Sequence, residues 1–305
     1  MKSSAISSVN IEPPAIETES HRGIGSDIAE LVKARLTLLV LLTTAVGYYL
    51  AAVDPINYVA LLNVVFGTAL AAAGAAALNQ WWERRLDALM ERTKTRPIPA
   101  GRMSAPNALM LGCTLGVAGV TYLAWACNTL AATLAALTII IYIFAYTPLK
   151  RISTGNTLVG AIPGALPAVI GWVAASGHLE FGAWSLFAIL FFWQLPHFFS
   201  VSWMYRDDYV RAGFQMISSG DETGTRSASQ SVFFCMLLLL VSGIPAFLGI
   251  VGPTYLVVEL ILNGLFIFTA MRFLRTQTRT DARRLFLASI IFLPLLLITL
   301  VVTKS

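Results

Sequence analysis

The amino-acid sequence predicts an all-α polytopic membrane protein, a bundle of nine transmembrane helices with an active-site cavity facing the cytoplasm. Three observations carry this expectation. Of 305 residues, 57% are apolar and only 12% charged, and the mean hydropathy is +0.73, a balance unlike that of soluble domains. The apolar residues are also contiguous, in nine stretches each long enough to cross about 30 Å of hydrocarbon. Finally, the basic residues fall in alternate connections between those stretches.

Residues 1–26 are rich in Ser and Glu and contain no apolar run. They read as a disordered cytoplasmic tail rather than a signal peptide, and Glu12, Glu17 and Glu19 argue against a mitochondrial transit peptide. The membrane domain is placed at 27–305, with spans at roughly 36–53, 56–78, 108–126, 130–146, 158–175, 184–203, 232–251, 255–273 and 285–302. The longest connection, 204–230, is half turn-formers and too short for a separate soluble domain. All 21 Lys and Arg residues except Lys304 lie in the N-terminal segment or in alternate loops. Basic loops stay inside, so the N-terminus is predicted cytoplasmic and the C-terminus outside.

The net charge of +5 is thereby explained by topology and calls for no nucleic-acid partner. Cys113, Cys127 and Cys235 are scattered singly through apolar runs, a pattern of packing rather than of disulfides or zinc. Glu259, near the start of the eighth span, reads as an interfacial or helix-packing residue. The fifth span carries GAIPGALPAVIG, which suits close helix approach and also a cavity where kinked helices separate.

The acidic residues with chemical promise share the basic side. Asn79, Glu83 and Asp87 are four residues apart, so on a helix they occupy one face within about 80° of arc. An amide and two carboxylates on one face suit Mg²⁺, which takes few protein oxygens and completes its shell with water and substrate phosphate. A charged helix end stabilised by i,i+4 ion pairs, with Arg84 and Arg85 interleaved, explains the same spacing. Arg92, Lys94 and Arg96 follow in ERTKTRPIP, where Pro97 and Pro99 are expected to stop the helix. Such a basic loop can grip a diphosphate. Tyr146, Lys150 and Arg151, around YTPLKR, add a third basic point.

A second cluster follows the sixth span, where Arg206, Asp207, Asp208, Tyr209 and Arg211 gather after His197. Facing the first carboxylates, it could hold a second Mg²⁺. His197 reads either as a hydrogen-bonded packing residue or as a substrate contact.

With these motifs in view, residues 28–303 resemble the membrane-embedded aromatic prenyltransferase (UbiA-type) superfamily, and within it the haem-farnesylating branch. Asn79, Glu83 and Asp87 match its first Asp-rich motif as N-x-x-x-E-x-x-x-D, continued by Met90, Arg92, Thr93, Arg96 and Pro97. YTPLKR with Asn156, the Gly/Pro-rich fifth span ending in Gly171 and Trp172, WQLPHF, and DDYVRAG with Met216 resemble the haem branch rather than the quinone branch. The chain departs from the wider superfamily in having Asp207 and Asp208 adjacent rather than acids four apart. The resemblance implies transfer of a farnesyl group from farnesyl diphosphate to a vinyl of haem B with addition of water, giving haem O. It implies Mg²⁺ as cofactor on Asn79, Glu83 and Asp87, with Asp208 also catalytic. Substrate contacts would come from Arg92, Lys94, Arg96, Tyr146, Lys150, Arg151, His197, Arg206, Asp207 and Tyr209. It further implies a bacterial inner-membrane location, with haem A synthase or terminal-oxidase assembly proteins as partners beside the lipid bilayer. Two other readings stand beside it: a quinone or chlorophyll prenyltransferase of the same fold, and a haem-handling transporter or chaperone.

Overall fold

The computed structural model describes residues 23–305, so the tail expected at 1–26 lies almost wholly outside the described residues. A short helix α1 (Ile24–Leu31) precedes nine helices long and apolar enough to cross a membrane among the described residues. These are α2 (Ala34–Ala51), α3 (Tyr58–Asp87), α4 (Ala105–Ala126), α5 (Thr129–Leu149), α6 (Asn156–Ser176) and α7 (Phe181–Met204), then α9 (Thr225–Phe247), α10 (Thr254–Thr276) and α11 (Arg279–Val302). A one-and-a-half-turn helix, α8 (Arg206–Arg211), lies between α7 and α9.

Neighbours in sequence pack as neighbours in space: α3 on α4, α4 on α5, α5 on α6, α6 on α7, α9 on α10 and α10 on α11. The bundle closes because α2 lies along α6 and α11 returns against both α7 and α2. Helices α6 and α7 are the central pair, 67% and 61% buried where the other spans are 28–39% buried. Small residues allow this. Gly171 faces the Thr44 carbonyl and Gly47 faces the Ala168 backbone, so a Cβ at either position would occupy space already held by the other helix. The Gly/Pro pattern of the fifth span therefore serves close approach of α2 and α6.

Lys304, the one cation at the far end, has a local task. Its ammonium donates to the Tyr49 and Ala52 carbonyls at 2.8 and 2.6 Å, neutralising the carbonyl end of α2. Glu259 is a packing residue, buried with Ser242 and Asn263 donating to its Oε1.

Two of the boundaries that differ from expectation have a visible cause. Helix α9 starts at Thr225 rather than near 232, because both Asp221 oxygens cap it, accepting from Gly224 N at 3.0 Å and Ser227 N at 2.7 Å. Ser227 and Ser231 in its first turns are buried, and Ser231 donates to the Ser227 carbonyl. Helix α3 ends at Asp87 and does not continue to Pro97. There the Asp87 carbonyl accepts from Thr93 Oγ1 at 2.9 Å, and residues 88–102 fold back as turns.

Candidate functional site

The charged end of the bundle is assembled from three connections. Buried Met90, in the turns after α3, packs against Ala212, Phe214 and Met216 after α8. Gln215 N donates to the Lys150 carbonyl at 2.6 Å, and Asn156 Nδ2 donates to the Gln215 carbonyl at 2.7 Å. Segments 88–102, 150–156 and 212–216 thus brace one another over the end of α3.

Asn79, Glu83 and Asp87 lie on one buried face of α3, as the four-residue spacing predicts. Each accepts from a cation on a different segment. Lys33 Nζ donates to Asn79 Oδ1 at 2.9 Å, Lys150 Nζ to Glu83 Oε1 at 2.7 Å, and Arg96 Nη1 to Asp87 Oδ2 at 2.7 Å. Asn79 Nδ2 in turn donates to Thr147 Oγ1 at 3.2 Å, which sets its amide orientation. Arg84 and Arg85 are not the partners, so the reading of the motif as a helix end of local ion pairs does not describe this face. The pairing is long-range.

Lys33 sits in the left-handed region (φ 51°) at the break between α1 and α2, and that bend delivers its side chain to the face. Burial pushes its pKa down to about 7, with Arg96 and Lys150 adding repulsion that Glu83 and Asp87 only partly offset. For Lys150, burial works in the same direction but the Glu83 carboxylate outweighs it, and its pKa is raised. Its ammonium also lies 4.5 Å from the Tyr146 ring centroid. A π-helical stretch, Ile141–Tyr146, widens the end of α5 and stacks Tyr142 on Tyr146 at 5.4 Å. Tyr142 hydroxyl reaches both Lys33 and Asn79 at 3.4 Å.

The remaining predicted residues divide into two groups. Arg92, Tyr209 and Asp208 join the rim of this face. Arg92 donates to the Tyr209 hydroxyl at 3.4 Å and lies over the Tyr205 ring at 5.4 Å. Asp208 pairs with Arg211 at 3.3 Å, which also approaches Glu91 at 4.0 Å, and Glu91 holds Lys94 at 2.5 Å. Arg151 is exposed. The others lie apart. Arg206 donates to the Glu222 carbonyl at 3.2 Å, and exposed Asp207 pairs with Arg279 at 2.5 Å. The adjacent acids point to different cations instead of forming a second set with the first, and no group of three or more His, Cys, Asp or Glu side chains able to hold a metal occurs among the described residues.

His197 stands between α7 and α11. Its ring stacks on Trp193 (5.6 Å) and lies tilted against Phe286 (5.0 Å), and its Nδ1 lies 2.8 Å from Ser289 Oγ. Ser289 commits its proton to the Phe286 carbonyl at 2.6 Å, so Nδ1–H is the donor and Nε2 carries a free lone pair.

The donor set suits a hard divalent cation. Glu83 and Asp87 each use one oxygen for a cation and keep a second that accepts no hydrogen bond among the described residues, and Mg²⁺ needs only one or two carboxylates beside substrate phosphate. Lys33 and Tyr142 were not singled out as site residues in the sequence. Lys33 is masked there by the positive-inside pattern, while Tyr142, one turn before Tyr146, had a visible spacing signal.

The UbiA prenyltransferase family model matches residues 40–296. A protoheme IX farnesyltransferase of Solibacter usitatus is 44% identical over 279 residues, covering 88% of this chain and 96% of that protein. Among solved structures, a digeranylgeranylglyceryl phosphate synthase superposes with a TM-score of 0.76 at 17% identity, covering 91% of this chain and 97% of that one. A UbiA homolog from Archaeoglobus fulgidus bound to GPP and Mg²⁺ superposes with a TM-score of 0.64 at 14% identity, covering 90% and 99%. The last two similarities bear on the fold.

Proposed function

This chain belongs to the UbiA prenyltransferase family, and from that membership and its similarity to protoheme IX farnesyltransferases we propose that it transfers the farnesyl group of farnesyl diphosphate to a vinyl group of haem B, with addition of water, giving haem O. It is an integral membrane protein. The basic loops support an inner-membrane orientation with the N-terminus and the charged end cytoplasmic and the C-terminus outside.

One observation carries the reading: the three oxygen-bearing side chains of α3 share a buried face onto which Lys33, Lys150 and Arg96 converge from separate segments. Paired anionic and cationic groups in a water-poor site are the means of binding a diphosphate and of stabilising it as it leaves. Mg²⁺ held by Glu83 and Asp87, with Asn79, would supply charge neutralisation of the diphosphate when bound.

The chain's own groups do the rest. On diphosphate binding, Lys150 and Arg96 are placed to turn from their carboxylates toward the phosphate oxygens, while Arg92 and Lys94 close the rim. Heterolysis of the allylic C–O bond sends the electron pair to diphosphate. The vinyl π electrons of haem then form the new C–C bond at farnesyl C1. Water adds to the cation left on the former vinyl carbon next to the ring and loses a proton, which yields the hydroxyethylfarnesyl side chain. Tyr142 and Tyr146 present π faces beside the site, which suits an allylic cation. Incubating the purified protein with haem B, farnesyl diphosphate and Mg²⁺ tests the proposal by mass spectrometry. Farnesylated, hydrated haem is the expected product; unmodified haem despite Mg²⁺-dependent diphosphate binding would make the acceptor wrong.

A further inference from the structure

A second feature of the charged end is a cleft of about 480 Å³ between the end of α7 and the start of α11, lined by Met204, Tyr205, Arg279, Thr280, Arg283, Phe286 and Leu287. That volume lies in the range of small-molecule sites, roughly 300–1,000 Å³. Its lining combines apolar and aromatic side chains with two guanidinium groups, those of Arg279 and Arg283. Arg279 and Arg283 are four residues apart on α11, hence on one face with their Cβ atoms about 5–6 Å apart. Arg283 is exposed and has no ion pair among the described residues. Arg279 already holds one carboxylate, that of Asp207.

The cleft touches the diphosphate site through one side chain. Tyr205 lines it and also lies beneath Arg92. Phe286 connects it inward, since the same ring lies tilted against His197 at 5.0 Å. A ligand seated there would meet a flat apolar surface on one side, two cations at the aqueous rim, and the basic loop of the prenyl donor at its flank. Haem has that shape and charge distribution: a planar apolar ring with two carboxylates on short arms at one edge and its vinyl groups elsewhere on the periphery.

We propose that Arg279 and Arg283 bind the two propionate carboxylates of the haem acceptor, orienting the ring so that a vinyl group, not the propionate edge, faces the diphosphate site. This rests on the haem reading above. Asp207 occupies Arg279 as a carboxylate stand-in and is displaced when haem enters. Arg279 and Arg283 are positioning residues, and bidentate guanidinium contacts are well matched to carboxylates.

The test uses full-length protein in nanodiscs of neutral lipid, titrated with haem B and with haem B dimethyl ester, whose propionates are neutral, and followed by the visible absorption of haem. The wild type is expected to bind haem B about tenfold or more tightly than the ester, the order of a charge-assisted contact. In Arg279→Gln/Arg283→Gln that preference disappears, while the Kd for farnesyl diphosphate, measured without haem, stays within about twofold. Arg279→Lys/Arg283→Lys, which keeps the charge, restores part of the preference and controls for folding. An unchanged preference in the glutamine variant overturns the proposal. So does an equal weakening of haem and ester binding by added anionic phospholipid, which would make the cleft a lipid headgroup site. The titration needs no turnover, so the two readings fail separately: a wild type that makes no farnesylated haem counts against the reaction, and one that binds haem and ester alike counts against the cleft.

Discussion

Lys150 and Glu83 form a buried ion pair, Nζ to Oε1 at 2.7 Å, with side chains only 14% and 5% exposed. The pair joins the connection after α5 to the end of α3, 67 residues apart in sequence, and so holds a candidate diphosphate ligand against a candidate metal ligand. Removing one partner leaves the other charge buried without compensation, at a cost of about 3–5 kcal/mol. Lys150→Ala is therefore expected to lower the unfolding midpoint in detergent markedly, whereas Glu83→Gln/Lys150→Met recovers most of that loss and stays inactive. Equal stability of the single and double variants would mean that the pair is not buried in the lipid-solvated protein.

Asp87 is paired with Arg96 in the same buried way, but its carbonyl accepts from Thr93 whatever side chain it carries. Asp87→Ala is expected to keep the turn and lower kcat by at least about 10²-fold, the scale of losing one group that stabilises transition-state charge. Single-turnover kinetics with size-exclusion elution as the folding control measures this. Wild-type turnover would remove Asp87 from the chemistry.

His197 is expected to act on the acceptor side only. With Nδ1–H committed to Ser289, its Nε2 lone pair is available to haem iron or to a donor group. His197→Ala should raise the KM for haem several-fold and leave that for farnesyl diphosphate unchanged. A proportional rise in both, or in neither, would reduce His197 to a packing residue between Trp193 and Phe286.

Gly171 reports on the scaffold. A methyl group there would enter the space of the Thr44 carbonyl on α2, and overpacking of this kind costs about 1–3 kcal/mol. Gly171→Ala should lower the melting temperature in detergent, while Gly264→Ala, with open space around it, should not.

What could be read from the sequence follows from what is local. Nine spans and the common face of Asn79, Glu83 and Asp87 come from hydropathy and helical period, both of which hold within a few turns. The ends of α3 and α9 did not follow from local signals, because Thr93 and Asp221 act as caps from outside the helices they terminate. The basic partners were visible as charges but not as pairs. Arg96 and Lys150 stood out beside acids, yet Lys33 reaches Asn79 only through the left-handed bend before α2 and the packing of α2 on α3. Asp207 and Asp208 show the converse. Their place after the sixth span suggested a second site facing the first, but these neighbouring residues on the short helix α8 point in different directions, one to Arg279 and one to Arg211.

The central claim is that the α3 face binds diphosphate together with Mg²⁺. Calorimetric titration of a farnesyl thiodiphosphate, whose slow C–S cleavage separates binding from reaction, tests it with and without chelator in wild type and Asp87→Asn. The account predicts at least about tenfold tighter binding with Mg²⁺ in the wild type and loss of that gain in the variant. Equal affinity with and without Mg²⁺ in the wild type would contradict it.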